Sequence, residues 1–449
     1  MKLKNRSAVL SLTLIMAFRM LGLFMILPVF SAHAVQIPGA TATLVGLALG
    51  IYGLTQAGLQ MPFGWLSDRI GRKPIIVIGL LLFAAGSVVA ALSHNITNLI
   101  IGRALQGAGA IGSTALALVA DLTREENRNK AMAFLGLSIG MSFSVAMIIG
   151  PIVNSWFHLS GIFWLTAGLS LIGLTLLARV PTPPKLVVHE DVEATPNKLS
   201  AIFKNSQLLR LNFGIFSLHL MLTALFIAIP ILLTHTLKLS QMQQTTTYLI
   251  VLVLAFITMI PFIIIAEKKR KMKRTFIGAV STLLISQVLL YFFGAQPIII
   301  GVLLFCFFTA FTLLEASLPS LISKIAPIQY KGTAMGVYST SQFLGIFVGG
   351  SAGGLIFAHF GIHGIFFFCS MLALLWLIFA MTMRLPPYLS TLIFEAHSKG
   401  QEINQKLRNF PGVAEVSFSP SENLIYTKVD KQKIDEHELR KCIEEVNLS

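Results

Sequence analysis

Three ionisable residues lie deep within long apolar stretches of the chain: Arg19, His219 and Glu315. At a rise of about 1.5 Å per residue, His219 lies roughly 13 Å along a helix from Arg210, and Glu315 lies roughly 13 Å from Lys324. A carboxyl group and an imidazole at such depth can exchange protons near neutral pH, so Glu315 and His219 are candidates for proton coupling. Arg19 keeps its charge and is a candidate for orienting a ligand or tuning a nearby acid. The alternative for all three is a pair that only holds helices together.

The segment GWLSDRIGRKP (64–74) concentrates charge between two apolar stretches. Its glycines and charged residues are Gly64, Asp68, Arg69, Gly71, Arg72 and Lys73. Basic residues alone would anchor a loop at a membrane surface. Because Asp68 adds nothing to such an anchor, we expect this loop to make a switchable contact; a plain tight turn is the alternative.

The stretch GAGAIG (107–112) satisfies the G-x-G-x-x-G pattern of dinucleotide-binding loops. It lies inside an apolar stretch with no strand before it, so the context that a nucleotide site requires is missing, and small residues there favour close helix packing. We therefore expect no nucleotide and no cofactor, with an ion gradient as the energy source. The three cysteines, Cys306, Cys369 and Cys442, lack paired spacing, which predicts neither a disulfide nor a metal site.

The elements that position these residues are membrane-spanning helices. Of the 449 residues, 55% are hydrophobic and only 12% are charged, a composition typical of an integral membrane protein. A spanning helix needs about 20 mostly apolar residues, and the chain divides into about twelve such runs. The predicted spans are 8–33, 43–66, 74–93, 97–121, 131–156, 160–179, 209–235, 244–266, 275–293, 297–323, 332–359 and 362–383.

The net charge of +15 is distributed according to membrane topology. Basic residues fall in alternate loops, namely at Lys2, Lys4, Arg6, Arg69, Arg72, Lys73, Arg124, Arg128, Lys130 and in the run EKKRKMKR (267–274). This pattern predicts a multi-pass protein of the lipid bilayer with both termini in the cytoplasm. The charge therefore reports orientation, and we expect no nucleic-acid partner.

The polar segments divide the chain into an N-terminal six-helix bundle (1–180), a cytoplasmic linker (181–208), a C-terminal six-helix bundle (209–385) and a cytoplasmic tail (389–449). The tail alternates polar and apolar residues at 415–419 and 424–429, and it has helical spacing at Ile403 and Leu407 and again at Leu439 and Ile443. This order predicts a small α+β domain of ferredoxin-like type.

An internal repeat relates the two bundles. MPFGWLSDRIGRKPIIVIG (61–79) aligns without gaps on IPFIIIAEKKRKMKRTFIG (260–278), which places Asp68 on Glu267 and Arg72 on Lys271. NKAMAF (129–134) falls on GTAMGV (332–337). Two six-helix repeats joined by a long loop are typical of secondary transporters that rock two bundles about a central site.

Three motifs together resemble the major facilitator superfamily, in particular its drug and proton antiporters. GWLSDRIGRK is similar to the loop motif between helices two and three, and IGRALQGAGA (101–110) to the fourth-helix motif. GMSFSVAMIIGP (140–151) is a partial fifth-helix antiporter motif, but Asn154 and Ser155 stand where the family has two glycines. The matching residues of the last two motifs are Arg103, Gln106, Gly107, Gly150 and Pro151.

The resemblance implies an all-α membrane fold with twelve transmembrane helices in a bacterial inner membrane. It also implies that Asp68 meets the start of the eleventh helix near Gly332 and that Arg72 pairs with Asp121. These contacts would lock the cytoplasmic gate in the outward-facing state. A coupling role for Arg103 and an antiport role for the Gly150–Pro151 pair are further implications.

Three classes of function remain open. The leading one is proton-coupled export of small, rather hydrophobic compounds by alternating access. The second is a proton-coupled importer of a nutrient or metabolite, and the third is a membrane sensor that acts through the tail. An enzyme is the least favoured class, because no nucleophile and base can be placed together.

Overall fold

The structure, a computed structural model, describes residues 3–123, 125–182, 196–327, 330–384, 389–396, 400–419, 424–430, 433–435, 438–439 and 441–443. Residues 183–195 of the predicted linker and the end of the second predicted tail helix lie outside these ranges. The described residues of the first half form seven helices: α1 (Leu3–Phe24), α2 (Phe30–Ala34), α3 (Ala42–Ile70), α4 (Arg72–Ala91), α5 (Ile96–Ala108), α6 (Gly112–Leu122) and α7 (Glu125–Ala178).

A short helix, α8 (Pro196–Lys204), leads into the second half. The helices that follow are α9 (Ser206–Ile231), which continues as a π-helical turn (Leu232–Thr236), α10 (Gln241–Lys268), α11 (Met272–Phe293), α12 (Pro297–Ile325) and α13 (Lys331–Met381). The tail contains β1 (Ser390–Glu395), α14 (Gly400–Arg408), β2 (Val413–Ser419) and β3 (Leu424–Val429).

Within the described part of the chain, ten helical segments are long and apolar enough to cross a membrane. The two longest, within α7 and α13, each contain one residue with non-helical backbone angles, His158 (φ 56°) and Gly361 (φ 62°). Both residues fall between two predicted spans.

Local chemistry sets where the helices begin and end. The side chains of Thr41, Asn95 and Asn205 accept hydrogen bonds from backbone N–H groups of the first turns of α3, α5 and α9. Ser240 and Gln243 form a reciprocal capping box at α10. Gly71, with φ of 103°, lies between α3 and α4, a conformation that glycine adopts without strain.

Two predicted spans are not continuous helices. The first, 8–33, is interrupted at residues 25–29, because Pro28 lacks an N–H and its ring clashes with the carbonyl group four residues earlier, where α1 ends. The fourth, 97–121, is broken between Ala108 and Gly112. There, a Cβ added at Gly109 would collide with the carbonyl oxygen of Gly79 in α4. Close packing against α4 therefore requires glycine at this position, and glycine favours helix less than other residues do.

The bundle has two ends. We call the end that holds Gly71, Thr123 and Lys269 the basic end, and the end that holds residues 35–41, 93–95 and 237–240 the opposite end. Helices α3 and α13 form a principal contact between the halves. A Cβ added at Gly50 of α3 would stand 2.6 Å from the carbonyl oxygen of Phe347, whereas one added at Gly336 of α13, nearer the basic end, would meet only the side chain of Met61 of α3, at 3.9 Å. At these glycines α3 and α13 are packed more tightly toward the opposite end.

Further contacts hold the opposite end together. The hydroxyl of Ser31 in α2 donates to the carbonyl oxygen of Phe226 in α9 (3.0 Å). The amide of Gln241, at the start of α10, donates to the carbonyl oxygen of Pro151 in α7 (3.2 Å). These hydrogen bonds join the two halves where the loops carry few charges.

The described tail forms a three-stranded antiparallel sheet in the order β1-β3-β2. Its apolar face packs on Ile403 and Leu407 of α14 and on Leu439 and Ile443, the residues whose helical spacing predicts a buried face. The backbone N–H of Glu438 donates to Asp435 (3.4 Å), as expected for a helix start.

The tail contacts the basic end of the second half. The ammonium group of Lys428 in β3 donates to the carbonyl oxygens of Lys324 (3.4 Å) and Ala326, at the C-terminal end of α12. A cation at this position complements the helix dipole. Arg270, between α10 and α11, forms an ion pair with Asp430.

Candidate functional site

His219, Glu315 and Gln342 meet in the second half, although they come from three helices, α9, α12 and α13. The amide nitrogen of Gln342 donates to Nε2 of His219 (2.8 Å) and to Oε1 of Glu315 (3.3 Å). The second carboxyl oxygen of Glu315 lies 3.8 Å from Nε2 of His219. The structure therefore brings together the two residues predicted for proton coupling, with Gln342 bridging them.

The two titratable groups differ in access. The side chain of Glu315 is 31% exposed, whereas that of His219 is 2% exposed. The second carboxyl oxygen of Glu315 is nevertheless buried, and no described group donates a hydrogen bond to it. An imidazole nitrogen that accepts from Gln342 carries no proton, so His219 can accept a second proton only if this hydrogen bond rearranges. The arrangement would allow a change in the protonation of Glu315 to alter the hydrogen bond between Gln342 and His219.

Arg19 lies in the first half and has no carboxylate among its described partners. Its Nη2 donates to the hydroxyl oxygen of Tyr52 (2.9 Å) and to the side-chain oxygen of Gln56, and its guanidinium lies 5.7 Å from the ring centroid of Phe83. Its Nε and Nη1 are buried without a hydrogen-bond partner. Arg19 is thus placed apart from His219 and Glu315.

A chain of amides leads from Arg19 to the other half. The amide of Gln56 donates to Gln60 (3.3 Å), which in turn donates to the hydroxyl of Ser339 in α13 (2.7 Å). Ser339 lies one helical turn from Gln342, so α13 carries the end of this chain of amides and also one member of the cluster of His219, Glu315 and Gln342. The roles of Tyr52 and Ser339 escaped sequence reasoning, although the spacing of Tyr52, Gln56 and Gln60 by four residues marks one face of a helix.

The fourth-helix motif forms a second buried polar network. Arg103 donates to the carbonyl oxygen of Ala48 (3.3 Å) and to Gln106 (2.8 Å), and Gln106 donates to Ser87 (2.8 Å). The guanidinium of Arg103 lies 5.1 Å from the ring centroid of Tyr52. Arg103 and Arg19 therefore approach the same aromatic ring.

The motif glycines mark close approaches between helices. A Cβ added at Gly107 would collide with Thr55 and with the backbone of Tyr52, and one added at Gly150 would collide with the carbonyl oxygen of Met25. The backbone of α7 stays helical through Pro151, and its non-helical residue is His158. Packing explains both glycines without a nucleotide.

Arg72 organises the predicted gate motif. It forms ion pairs with Asp68 and, through Nε, with Asp121 (3.2 Å), and it donates to the hydroxyl of Ser67 (2.7 Å). Its side chain is only 2% exposed. The geometry thus joins the ends of α3, α4 and α6, including the Arg72–Asp121 pair that the family resemblance implies.

The remaining residues of the motif support this turn. The guanidinium of Arg69 stacks on Trp65, 3.8 Å from its ring centroid, and Lys73 donates to the carbonyl oxygen of Val180 (2.7 Å). Gly64 faces Ser113 of its own half. At the equivalent place in the second half, Glu267 pairs directly with Lys324 (2.7 Å). The described residues contain no cluster of side chains able to hold a metal ion.

Comparison with known proteins identifies the class. The model of the Major Facilitator Superfamily matches residues 12–350 and 313–411 of this chain. The chain belongs to that family, as its motifs predict. It is a multi-pass membrane transport protein, a secondary transporter rather than an enzyme.

Individual relatives support this assignment. Inner membrane transport protein YajR of Escherichia coli (strain K12) is 44% identical over 445 residues, which cover 98% of this chain and 97% of that protein. Multidrug resistance protein MdtH of Aeromonas salmonicida (strain A449) is 28% identical over 348 residues, covering 75% of this chain and 84% of that protein. The crystal structure of a D-xylose–proton symporter matches with a TM-score of 0.66 at 17% identity, covering 84% of this chain and 97% of that one, which shows the shared fold.

Proposed function

We propose that this protein exports small hydrophobic or drug-like compounds across the bacterial inner membrane in exchange for protons. The observation that carries the proposal is the cluster of Glu315, His219 and Gln342, because a carboxyl group at mid-membrane depth is costly and needs a functional reason. The name of the MdtH relative supports a drug-like substrate, and the name of the YajR relative supports the inner membrane.

The proposed mechanism is alternating access of the two halves. Two crossings each for α7 and α13 would bring the ten candidate spans of the described residues to the proposed twelve transmembrane helices in two repeats of six. With the basic end in the cytoplasm, both termini are cytoplasmic, and the close packing of α3 on α13 at the opposite end corresponds to an inward-facing state. Protonation of Glu315 would permit the return of the empty carrier.

Aromatic packing between the halves supports a hydrophobic substrate. Phe143 of α7 lies 6.1 Å from Phe308 and 5.7 Å from Phe311 of α12, measured between ring centroids, and Phe311 lies 5.8 Å from His219. Apolar rings that meet across the halves can repack around varied ligands as the halves separate. Glu315 and His219 would then lie beside the bound compound whose export the proton gradient drives.

The proposed role of the loop motif is a gate. Asp68, held by Arg72, would meet the start of α13 near Gly332 when the basic end closes, and a negative side chain is favourable at a helix N-terminus. We further propose that the tail is a ferredoxin-like domain, since its strand order β1-β3-β2 with α14 after β1 suits that fold. Its contacts with α12 suit a regulator of transport.

The test is proton-driven flux in proteoliposomes with a panel of lipophilic fluorescent compounds, some uncharged, some cationic and some anionic. The Glu315→Gln variant should lose the dependence of flux on the pH gradient while remaining folded in detergent. The matched control is Glu402→Gln, the same change on the exposed face of α14. Full proton dependence in Glu315→Gln would contradict the proposal.

A further inference from the structure

Two buried arginines of the first half, Arg19 and Arg103, have no acidic partner among the described residues. The acidic residues among the first 178 are Asp68, Asp121, Glu125 and Glu126, whose positions in the chain fall near the ends of α3 and α6 and at the start of α7. Arg19 and Arg103 are both buried, and their described hydrogen bonds go to neutral groups. An uncompensated buried charge is costly, so its retention calls for a partner that the free protein does not supply.

The donors around Arg19 outnumber the acceptors. Nε and Nη1 of Arg19 are fully buried and donate to no described group. The hydroxyl of Tyr52 accepts from Arg19, and no described group accepts the proton of this hydroxyl. Buried donors normally find acceptors, so this group of three unused donors has the chemistry of a binding site for an electronegative atom.

The position of this group suits a ligand bound between the halves. The ring of Tyr52 lies 6.4 Å, between centroids, from that of Phe343 in α13, and Gln56 connects through Gln60 to Ser339. Arg19 is therefore covered by the face of α3 that contacts the other half. Separation of the halves beyond that seen in the structure would uncover it.

Resting on the function proposed above, we infer that Arg19 and Tyr52 select hydrophobic compounds that carry a hydrogen-bond acceptor, such as a carbonyl, sulfonyl or carboxylate group, and reject cations. The acceptor binds the free N–H groups of Arg19, and the apolar body packs on the rings of Tyr52 and Phe83. The uncompensated charges of Arg19 and Arg103 repel ammonium compounds. This specificity differs from that of an exporter of lipophilic cations.

The test is binding of three naphthalenes with the same shape, carrying a carboxamide, a carboxylate or an aminomethyl group at one position. Ligand-induced thermal stabilisation of the full-length protein in detergent gives the affinity of each. The carboxamide and the carboxylate should stabilise the wild type and the ammonium compound should not. In Arg19→Gln, affinity for the two acceptor compounds should fall about tenfold to a hundredfold, as expected for losing a hydrogen bond to a charged donor.

Two further variants keep the inference falsifiable. Arg19→Lys retains the charge and should still reject the ammonium compound. The control Arg210→Gln removes an arginine whose hydrogen bond is exposed, near the start of α9, and it should bind the three compounds as the wild type does. Without ligand, Arg19→Gln should be at least as stable as the wild type, because it removes an uncompensated charge. Equal binding of the ammonium compound, unchanged affinities in Arg19→Gln, or marked loss of its ligand-free stability would overturn the inference. These measurements need no proton gradient, so their outcome does not depend on whether the protein exports compounds in exchange for protons.

Discussion

The contact between α3 and α13 makes a quantitative prediction about the population of states. Gly50→Ala adds a Cβ that would stand 2.6 Å from the carbonyl oxygen of Phe347, whereas ordinary contacts begin at 3.4 Å. The helices must therefore separate by several tenths of an ångström. Overpacking of this kind costs about 1–3 kcal/mol. If only the state closed at the opposite end bears this cost, its population relative to the open state falls about five- to 150-fold.

The assay is the rate at which a membrane-impermeant thiol reagent labels Ser31→Cys in intact cells. Ser31 is fully buried and bonded to Phe226 of the other half, so its replacement is reached only when the opposite end opens. The background lacks the native cysteines. Gly50→Ala should increase the labelling rate strongly.

The matched control is Gly58→Ala, on the same helix. It makes the same gain in helix propensity but meets nothing within 4 Å. It should label at the wild-type rate. Equal labelling of Gly50→Ala and Gly58→Ala would refute the claim that the glycine contact closes the opposite end.

Three further predictions concern polar contacts. Arg72→Ala removes the buried arginine that bridges Asp68 and Asp121 and should destabilise the protein by about 3–5 kcal/mol in denaturant titrations, with partial recovery at low pH as the carboxylates protonate; pH-independent destabilisation would contradict this. Gln60→Leu removes the hydrogen bond to Ser339 and should change transport rate more than ligand affinity, which paired flux and binding measurements separate. Lys428→Met removes one of the described contacts between the tail and the second half and should speed proteolysis of the tail, whereas Lys433→Met, at an exposed position, should not; equal rates would show that the Lys428 contact does not hold the tail.

The sequence predicted those features that depend on local pattern. Apolar runs placed the spanning helices, and the depth of Glu315 and His219 along their helices marked both as candidate functional residues, whose side chains the structure brings together with Gln342. The tail alternation predicted its strands. These features follow from spacing along one helix or strand, which a single chain segment encodes.

The sequence did not predict features that depend on contacts between distant segments of the chain. Residues 25–29 and 109–111 interrupt predicted helices, the first near Pro28 and the second where glycines pack against α4. Arg19 could not be assigned partners, because Tyr52 and Gln56 are too common in helices to stand out before α1 and α3 are packed together. The lack of an acidic partner for Arg19 likewise depends on several helices at once.

Proton release on ligand binding tests the exchange mechanism most directly. The uncharged compound of the flux panel that is transported fastest is added to the purified protein in weakly buffered detergent solution, and the pH change is recorded. In an antiporter the compound and the proton compete, so the wild type should release protons and Glu315→Gln should release none. Proton uptake by the wild type on binding, which is the behaviour of a symporter, would contradict the proposed function.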